Sequence, residues 1–468
     1  MKRFIALLLL LSMCFTACTP TREDYALPIG TVDNSSLNKT DGENAAGATP
    51  TPLTDGEGLR VLVAERDLDE ATTHTLFSSI ESYRKRESLP AIALDFVEIK
   101  ASSNTNAIPA METIAAHYYD TIALKLLAGD DDFDMFLIGS QSYQHARGQV
   151  HDMLNKNYFV SMETLGLAAL YDDMLPGVKG LCTADGAILL APIRFVFTGR
   201  MMKRDALSRL NISAGDMPRT AKGFTDFILS LCGTMESTQT LLVDTFDPGI
   251  FIEWFAGQYV AEYMDYGENM QAMWDALVDA LDRLFASGLL AFETGGSDGA
   301  GGVLPYDFPA MYHTDALMDS RTVSVTGNDS GEAIKEYYNT ELMPYILLTE
   351  DAKEPIYGGA FLAVNPNTKH LDDVRAYLST MLSADFRRSA TTKDYWIIYD
   401  DSDFHENADY LWYKDALANS TRGYSSPYGA ANGQYISYFD YLAYHNGTMT
   451  SAQWKAKVDR ELEFLRDE

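Results

Sequence analysis

A mixed α/β body, with helices covering both faces of a sheet, is predicted for this chain from three observations. After position 58 the hydrophobic pattern switches between a period of two and a period of 3.6, in the order strand, helix, strand, helix, strand. The roughly 410 residues beyond that point exceed what one hydrophobic core usually holds, so two lobes are expected. Hydrophobic residues form 46% of the chain and aromatics 12%, enough apolar surface to fill both.

The chain opens with an export leader. Lys2 and Arg3 precede the apolar run FIALLLLLSM, and the stretch closes on Phe15-Thr16-Ala17-Cys18. An apolar core of about ten residues falls well short of the roughly 20 that a membrane-spanning helix needs, so residues 1–18 read as a removable leader. Small residues before a cysteine resemble the lipobox of bacterial lipoproteins, with Phe15 where leucine is usual. That resemblance implies lipid on Cys18 and a protein held on the extracellular face of the cell membrane, with plain secretion as the alternative. Residues 19–58, rich in Thr, Ser, Asn, Asp, Gly and Pro, read as a disordered tether with a reach on the order of 35 Å.

In the folded part, LRVLVAE at 59–65 alternates as a strand, 69–86 has helical spacing and 91–99 is a second strand. An amphipathic helix over 111–127 stops at Gly129, and the apolar strand 133–139 follows. Strands joined through helices in this way form a parallel sheet. Ligands collect beyond the carboxyl ends of such strands, after Glu65 and after Gly139, which puts Ser140, Gln141 and Tyr143 on a rim. The acidic run from Asp130 to Asp134 lacks the alternating spacing and trailing Glu of a calcium loop and reads as a solvated turn.

Charge and cysteine content narrow the function. With 36 Lys plus Arg against 67 Asp plus Glu, the formal net charge is −31, which disfavours nucleic acid and anionic membrane surfaces as partners. Two of the four cysteines, Cys14 and Cys18, lie in the leader; Cys182 and Cys232 remain, and whether they pair is left open. No CxxC, HExxH, GxSxG or P-loop occurs, and no GxGxxG follows a strand, so no metal, cofactor or catalytic centre is expected. Acidic residues are numerous enough that the carboxylate pair of a glycan hydrolase is not excluded by composition.

Six segments occur in an order that resembles one family. They are AGDDDFDMFLIGS, KNYFVSMETLG, TADGAILLAPIRFVFTGRMMKRDAL, MPRTAKGFTDFI, YGGAFLAVNPNTKHLDDVRAYLSTMLS and the closing NGTMTSAQWKAKVDRELEFLRDE. Together they resemble the extracellular solute-binding proteins of ABC importers, in the sugar-binding, maltose-binding-protein-like family 1, over roughly residues 59–468. The chain departs from the family pattern at Gly199-Arg200, where Tyr-Asn is usual, and in the tryptophan missing after Thr220. The resemblance implies a periplasmic-binding-protein-like type II fold of two α/β lobes joined by a hinge, with the ligand cleft between them. Lobe 1 would take 59–168 and 358–400, and lobe 2 would take 169–357 and 401–468. It also implies a monomer that captures a small solute, a sugar or oligosaccharide, by lobe closure and delivers it to ABC permease subunits. A glycan-degrading or glycan-capturing surface lipoprotein is the alternative, as is a peptide or polyamine receptor on the same fold.

Sugar recognition needs flat apolar platforms and planar polar groups, so aromatics beside Asp, Gln or Arg are the pattern sought. Asp247 and Trp254 follow the apolar LLVDTF; Trp254 either stacks on ligand or packs in the core. Arg194 shares its apolar stretch with only one other charge, Arg200, and needs a ligand group or an internal Asp as partner. Tyr357 precedes Gly358 and Gly359 at the expected hinge, and Tyr435 lies where relatives place a stacking aromatic. Trp274 shares helical spacing with Leu277, Leu281 and Leu284 and reads as core.

Overall fold

In the computed structural model, which describes residues 58–67, 75–100, 111–231, 249–264, 267–287, 317–325, 332–344, 346–355, 358–389, 398–400, 407–421, 436 and 438–467, the alternating LRVLVA forms β1 (Leu59–Ala64). Next come α1 (Thr75–Arg86), β2 (Leu94–Ile99), α2 (Met111–Ala128) and β3 (Met135–Ile138). β1 pairs parallel with both other strands, Leu59 opposite Leu94 and Val61 opposite Met135. The buried Tyr118 of α2 places its hydroxyl 2.8 Å from the Leu62 carbonyl and 2.7 Å from the Leu137 carbonyl, so one phenol spans β1 and β3. Burial holds that phenol in its neutral, donating form, its pKa raised well above the ordinary value.

The acidic run is not one solvated turn. Asp130 is held by Lys125 Nζ at 2.6 Å near the surface, whereas Asp134 is buried and accepts the Arg60 N–H at 2.8 Å and the Thr368 hydroxyl. A carboxylate taken out of water needs such donors, and here they arrive from segments distant in sequence.

Beyond β3 the chain forms α3 (Ser140–His145), α4 (Arg147–Asn155), α5 (Pro176–Cys182) and the hairpin of β4 (Thr183–Ala184) and β5 (Ala187–Ile188). Asp185 and Gly186 both have positive φ, as a two-residue hairpin turn of the favoured hand requires. Cys182, at the end of α5, is a buried thiol, while Cys18, the tether and Cys232 lie outside the described residues.

The 14-residue strand β6 (Leu190–Lys203) serves two halves of the sheet. Its residues 190–196 pair with β10 (Gly358–Val364), which also pairs with β3; residues 197–203 pair with β7 (Met318–Val325) and β8 (Thr340–Leu342). All four of these pairings are antiparallel, giving the order β2-β1-β3-β10-β6-β7 with β8 beside β6. The expected parallel sheet is therefore confined to β2-β1-β3. The reason is topological: β6 carries the chain out of the first half, and β10 must run back against it. Gly358 and Gly359, expected at a hinge, are strand residues opposite Val196 and Phe195. Gly199 has no side chain because a Cβ there would overlap Leu342 of β8.

After β6 come α6 (Arg204–Leu210), α7 (Ala221–Leu231), α8 (Gly249–Met264), α9 (Met270–Ala286) and α10 (Glu332–Tyr338). A short β9 (Glu354–Pro355) precedes β10, and α11 (Leu371–Met381) with α12 (Ala384–Ser389) then returns to α1, where Arg84 Nη1 donates to Thr380 Oγ1 at 2.6 Å. The chain closes with α13 (Ala408–Ala418), β11 (Ser420–Thr421), α14 (Tyr438–His445) and α15 (Ser451–Asp467).

Trp274 is core, as its spacing requires: it lies edge-on to Trp454 and Tyr259, and its Nε1–H donates to Ser451 Oγ at 3.0 Å. Tyr444, stacked on Trp454, donates to Asp282 Oδ2 at 2.7 Å. Burial, helped by that carboxylate, pushes the Tyr444 phenol from 10.0 up to about 12. The folded protein thus holds the proton more tightly than the unfolded chain, and the stability this confers is complete below pH 10 and is lost as pH climbs from there towards 12. Urea midpoints measured between about pH 9 and pH 11 are expected to fall, and to fall less in Tyr444→Phe. An equal fall in both proteins would assign the alkaline sensitivity elsewhere.

Candidate functional site

The carboxyl ends of β1 and β3 form a rim. After β1 the chain turns through Arg66, which takes a positive φ of 73°, and Asp67 N–H closes on the Ala64 carbonyl at 3.0 Å. This tight turn sends the Asp67 side chain back over the end of β3, where it is fully buried. Its two carboxylate oxygens accept the Ser142 N–H at 3.4 and 3.3 Å. Gly139, the residue preceding α3, has ordinary extended backbone and no side chain; a Cβ there would overlap the Asp67 carboxylate.

Arg194 on β6 stands opposite Ala360 of β10 and reaches across it to α3, where its Nη2 donates to Ser140 Oγ at 3.0 Å. Tyr143 of α3, Phe361 of β10 and Phe195 of β6 pack edge to face with ring centroids 5.9 and 5.6 Å apart, a second link between α3 and β6. Deeper in, Tyr119 OH and Ser142 Oγ lie 3.1 Å apart, and burial raises the Tyr119 pKa well above its ordinary value.

On the far side of the changeover in β6, Phe197 meets Trp412 of α13 edge-on at 6.3 Å. Trp412 is half-buried, and its Nε1–H donates to the Met343 carbonyl at 2.7 Å, which fixes the ring plane. A guanidinium, a hydroxyl and an aromatic ring therefore flank the point where β6 passes from one half to the other, with the Asp67 carboxylate buried behind them. Such a set can orient hydroxyl groups and cover an apolar face.

Of the residues singled out in the sequence, Ser140 and Arg194 are brought into contact. Gln141 lies in α3 and Trp254 in α8, but both side chains, like Asp247, Tyr357 and Tyr435 as a whole, are outside the described residues. Asp67 was missed; its signal was position, three residues past the end of β1. Among the described residues no group of His, Cys, Asp and Glu is arranged to hold a metal ion, and no helix is long and apolar enough to cross a membrane.

No family model matches the chain, and no curated protein matches it. Solved structures do share its fold. A cyclic alpha-maltosyl-1,6-maltose binding protein from Arthrobacter globiformis is 12% identical, with a TM-score of 0.53 over 89% of this chain and 99% of that one. A family 1 extracellular solute-binding protein from Alicyclobacillus acidocaldarius is also 12% identical, with a TM-score of 0.53 over 90% of this chain and 100% of its own. Another family 1 extracellular solute-binding protein, from Bifidobacterium longum subsp. infantis, is 13% identical, with a TM-score of 0.51 over 87% of this chain and 99% of that one.

Proposed function

We propose that this chain, which has the fold of the family 1 extracellular solute-binding proteins, is a non-catalytic receptor that captures a carbohydrate between two lobes. It delivers that solute to the permease of an ABC importer from the extracellular face of the membrane, where lipid on Cys18 anchors it. The observation that carries this function is β6, one continuous strand shared by two sheet halves, with Arg194 just before the changeover and Phe197 just after it. A strand common to both halves lets them rotate about it while the groups on either side close on a ligand. On this reading lobe 1 takes 59–168 and 358–400 and lobe 2 takes 169–357 and 401–468, and the pairing of β6 with β10 along 190–196 and with β7 from 197 onward supports a junction along that strand. The sugar named for the Arthrobacter globiformis protein supports a carbohydrate ligand here, as does the mix of planar polar and aromatic groups at the rim.

Calorimetric titration of the full chain with neutral oligosaccharides, uronates, peptides and polyamines tests this function. Binding of at least one glycan, with a smaller radius of gyration in solution when it is bound, is the expected result. Silence across the glycans, or binding with no change of radius, sinks capture by closure. Arg194→Ala is expected to weaken binding by about 10- to 100-fold, the loss of a charge-assisted hydrogen bond. Unchanged affinity would return Arg194 to a purely structural role.

A further inference from the structure

α3 begins without a cap of its own. The residue before it, Gly139, has no side chain to satisfy the first backbone N–H groups of the helix. The missing acceptor comes from 75 residues earlier in the chain: the Asp67 carboxylate takes the Ser142 N–H, the third in the helix, which is the group a capping Ser or Asp would normally serve. The two residues are complementary, since Asp67 fills the space that a side chain at 139 would occupy. Ser140, the first residue of the helix so held, accepts the hydrogen bond from Arg194.

We infer that Asp67 is a positioning residue: by capping α3 from outside, it sets Ser140 and through it the pose of the Arg194 guanidinium at the mouth of the site. The inference rests on the place given to Arg194 in the proposed ligand cleft. It makes Asp67 a part of the receptor that touches no ligand, since the residue is fully buried. A carboxylate in the rim turn of a sugar receptor would otherwise be taken for a direct ligand contact. The two roles respond differently to moving the cap.

Asp67→Ala removes the cap, and Asp67→Ala combined with Gly139→Ser restores one at the usual position, in the space the first substitution vacates. Position 139 has φ −82° and ψ 161°, which serine adopts without strain. In the full chain, hydrogen exchange of the Ser142 amide and the Arg194 side-chain nitrogen resonances, assigned by their loss in Arg194→Lys, report the two ends of the chain of contacts. Asp67→Ala is expected to speed Ser142 exchange by about fivefold or more and to collapse the separate Arg194 Nη signals into one. The double variant is expected to recover both. Asp67→Asn, which keeps one acceptor oxygen and the side-chain volume, serves as the milder variant if Asp67→Ala does not fold, and should give a smaller shift in the same direction.

Arg194 signals that ignore both substitutions at 67 overturn the inference. So does a shift that Gly139→Ser fails to reverse, because that outcome makes Asp67 act by its own contacts. Titration with maltotriose separates the proposals. If the wild type binds, the single variant should bind about fivefold more weakly and the double variant normally. If neither maltotriose nor any other glycan binds the wild type, the receptor function fails while the resonances still decide the role of Asp67.

Discussion

Lys335→Met is expected to lower the free energy of unfolding by about 3 kcal/mol, toward the lower end of what removing one partner of a buried ion pair costs. Lys335 Nζ lies 2.6 Å from Asp409 Oδ1, with side chains only 9% and 6% exposed, so water cannot replace the lost ammonium. Each ion sits at the helix end that suits its sign, Lys335 in the last turn of α10 and Asp409 in the first turn of α13. The survivor therefore keeps roughly 0.3–1 kcal/mol of favourable interaction with its own helix, which softens the loss without cancelling it. Asp409→Leu should cost a similar amount by the same argument. The double replacement, Lys335→Met with Asp409→Leu, should come close to wild type, because it removes both desolvated charges together. Urea midpoints at constant slope measure all three. A single variant within about 0.5 kcal/mol of wild type would mean that the pair is hydrated in solution. The pair joins α10 to α13, and α13 carries Trp412 beside β6, so its loss should also loosen that face of the candidate site.

Local periodicity made the first five elements legible. β1, α1, β2, α2 and β3 all fall within or close to the segments their spacing predicts, since each shows its own period over at least four residues. β6 was not legible as one strand. Pro192, Gly199 and two arginines interrupt its pattern, and what makes LAPIRFVFTGRMMK continuous is pairing with β10 along one half and with β7 and β8 along the other. The burial of Asp134 was equally hidden, because a run of aspartates looks solvated until Arg60 and Thr368 arrive from elsewhere in the chain. At the site, Ser140 and Arg194 could each be singled out, one as a strand-end residue and the other as a charge in an apolar run. Nothing local related them. Their contact is made by tertiary structure, α3 following β3 and Arg194 standing on β6 two strands away, and Asp67 enters only through the turn at Arg66.

Trp454→Ala is expected to cost about 3–5 kcal/mol and to do so in one part of the molecule only. The indole is fully buried in α15, with its ring centroid 4.8 Å from Trp274 of α9 and 5.7 Å from both Tyr441 and Tyr444 of α14. Truncation to a methyl leaves a cavity between three helices that cannot all close on it, since Tyr259 is tied to Asp459 at 2.5 Å and Tyr444 to Asp282. Trp454→Phe should be far milder. It keeps an aromatic ring against Trp274 and removes an indole N–H that has no hydrogen-bond partner among the described residues, so part of the lost volume is offset by one fewer buried orphan donor. Hydrogen exchange then tests whether the two halves on either side of β6 unfold separately. If the two lobes unfold separately, Trp454→Ala strips protection from α8, α9, α14 and α15 while β1 and β3 keep theirs. A uniform loss across both halves would mean that β6 joins them into one cooperative unfolding unit.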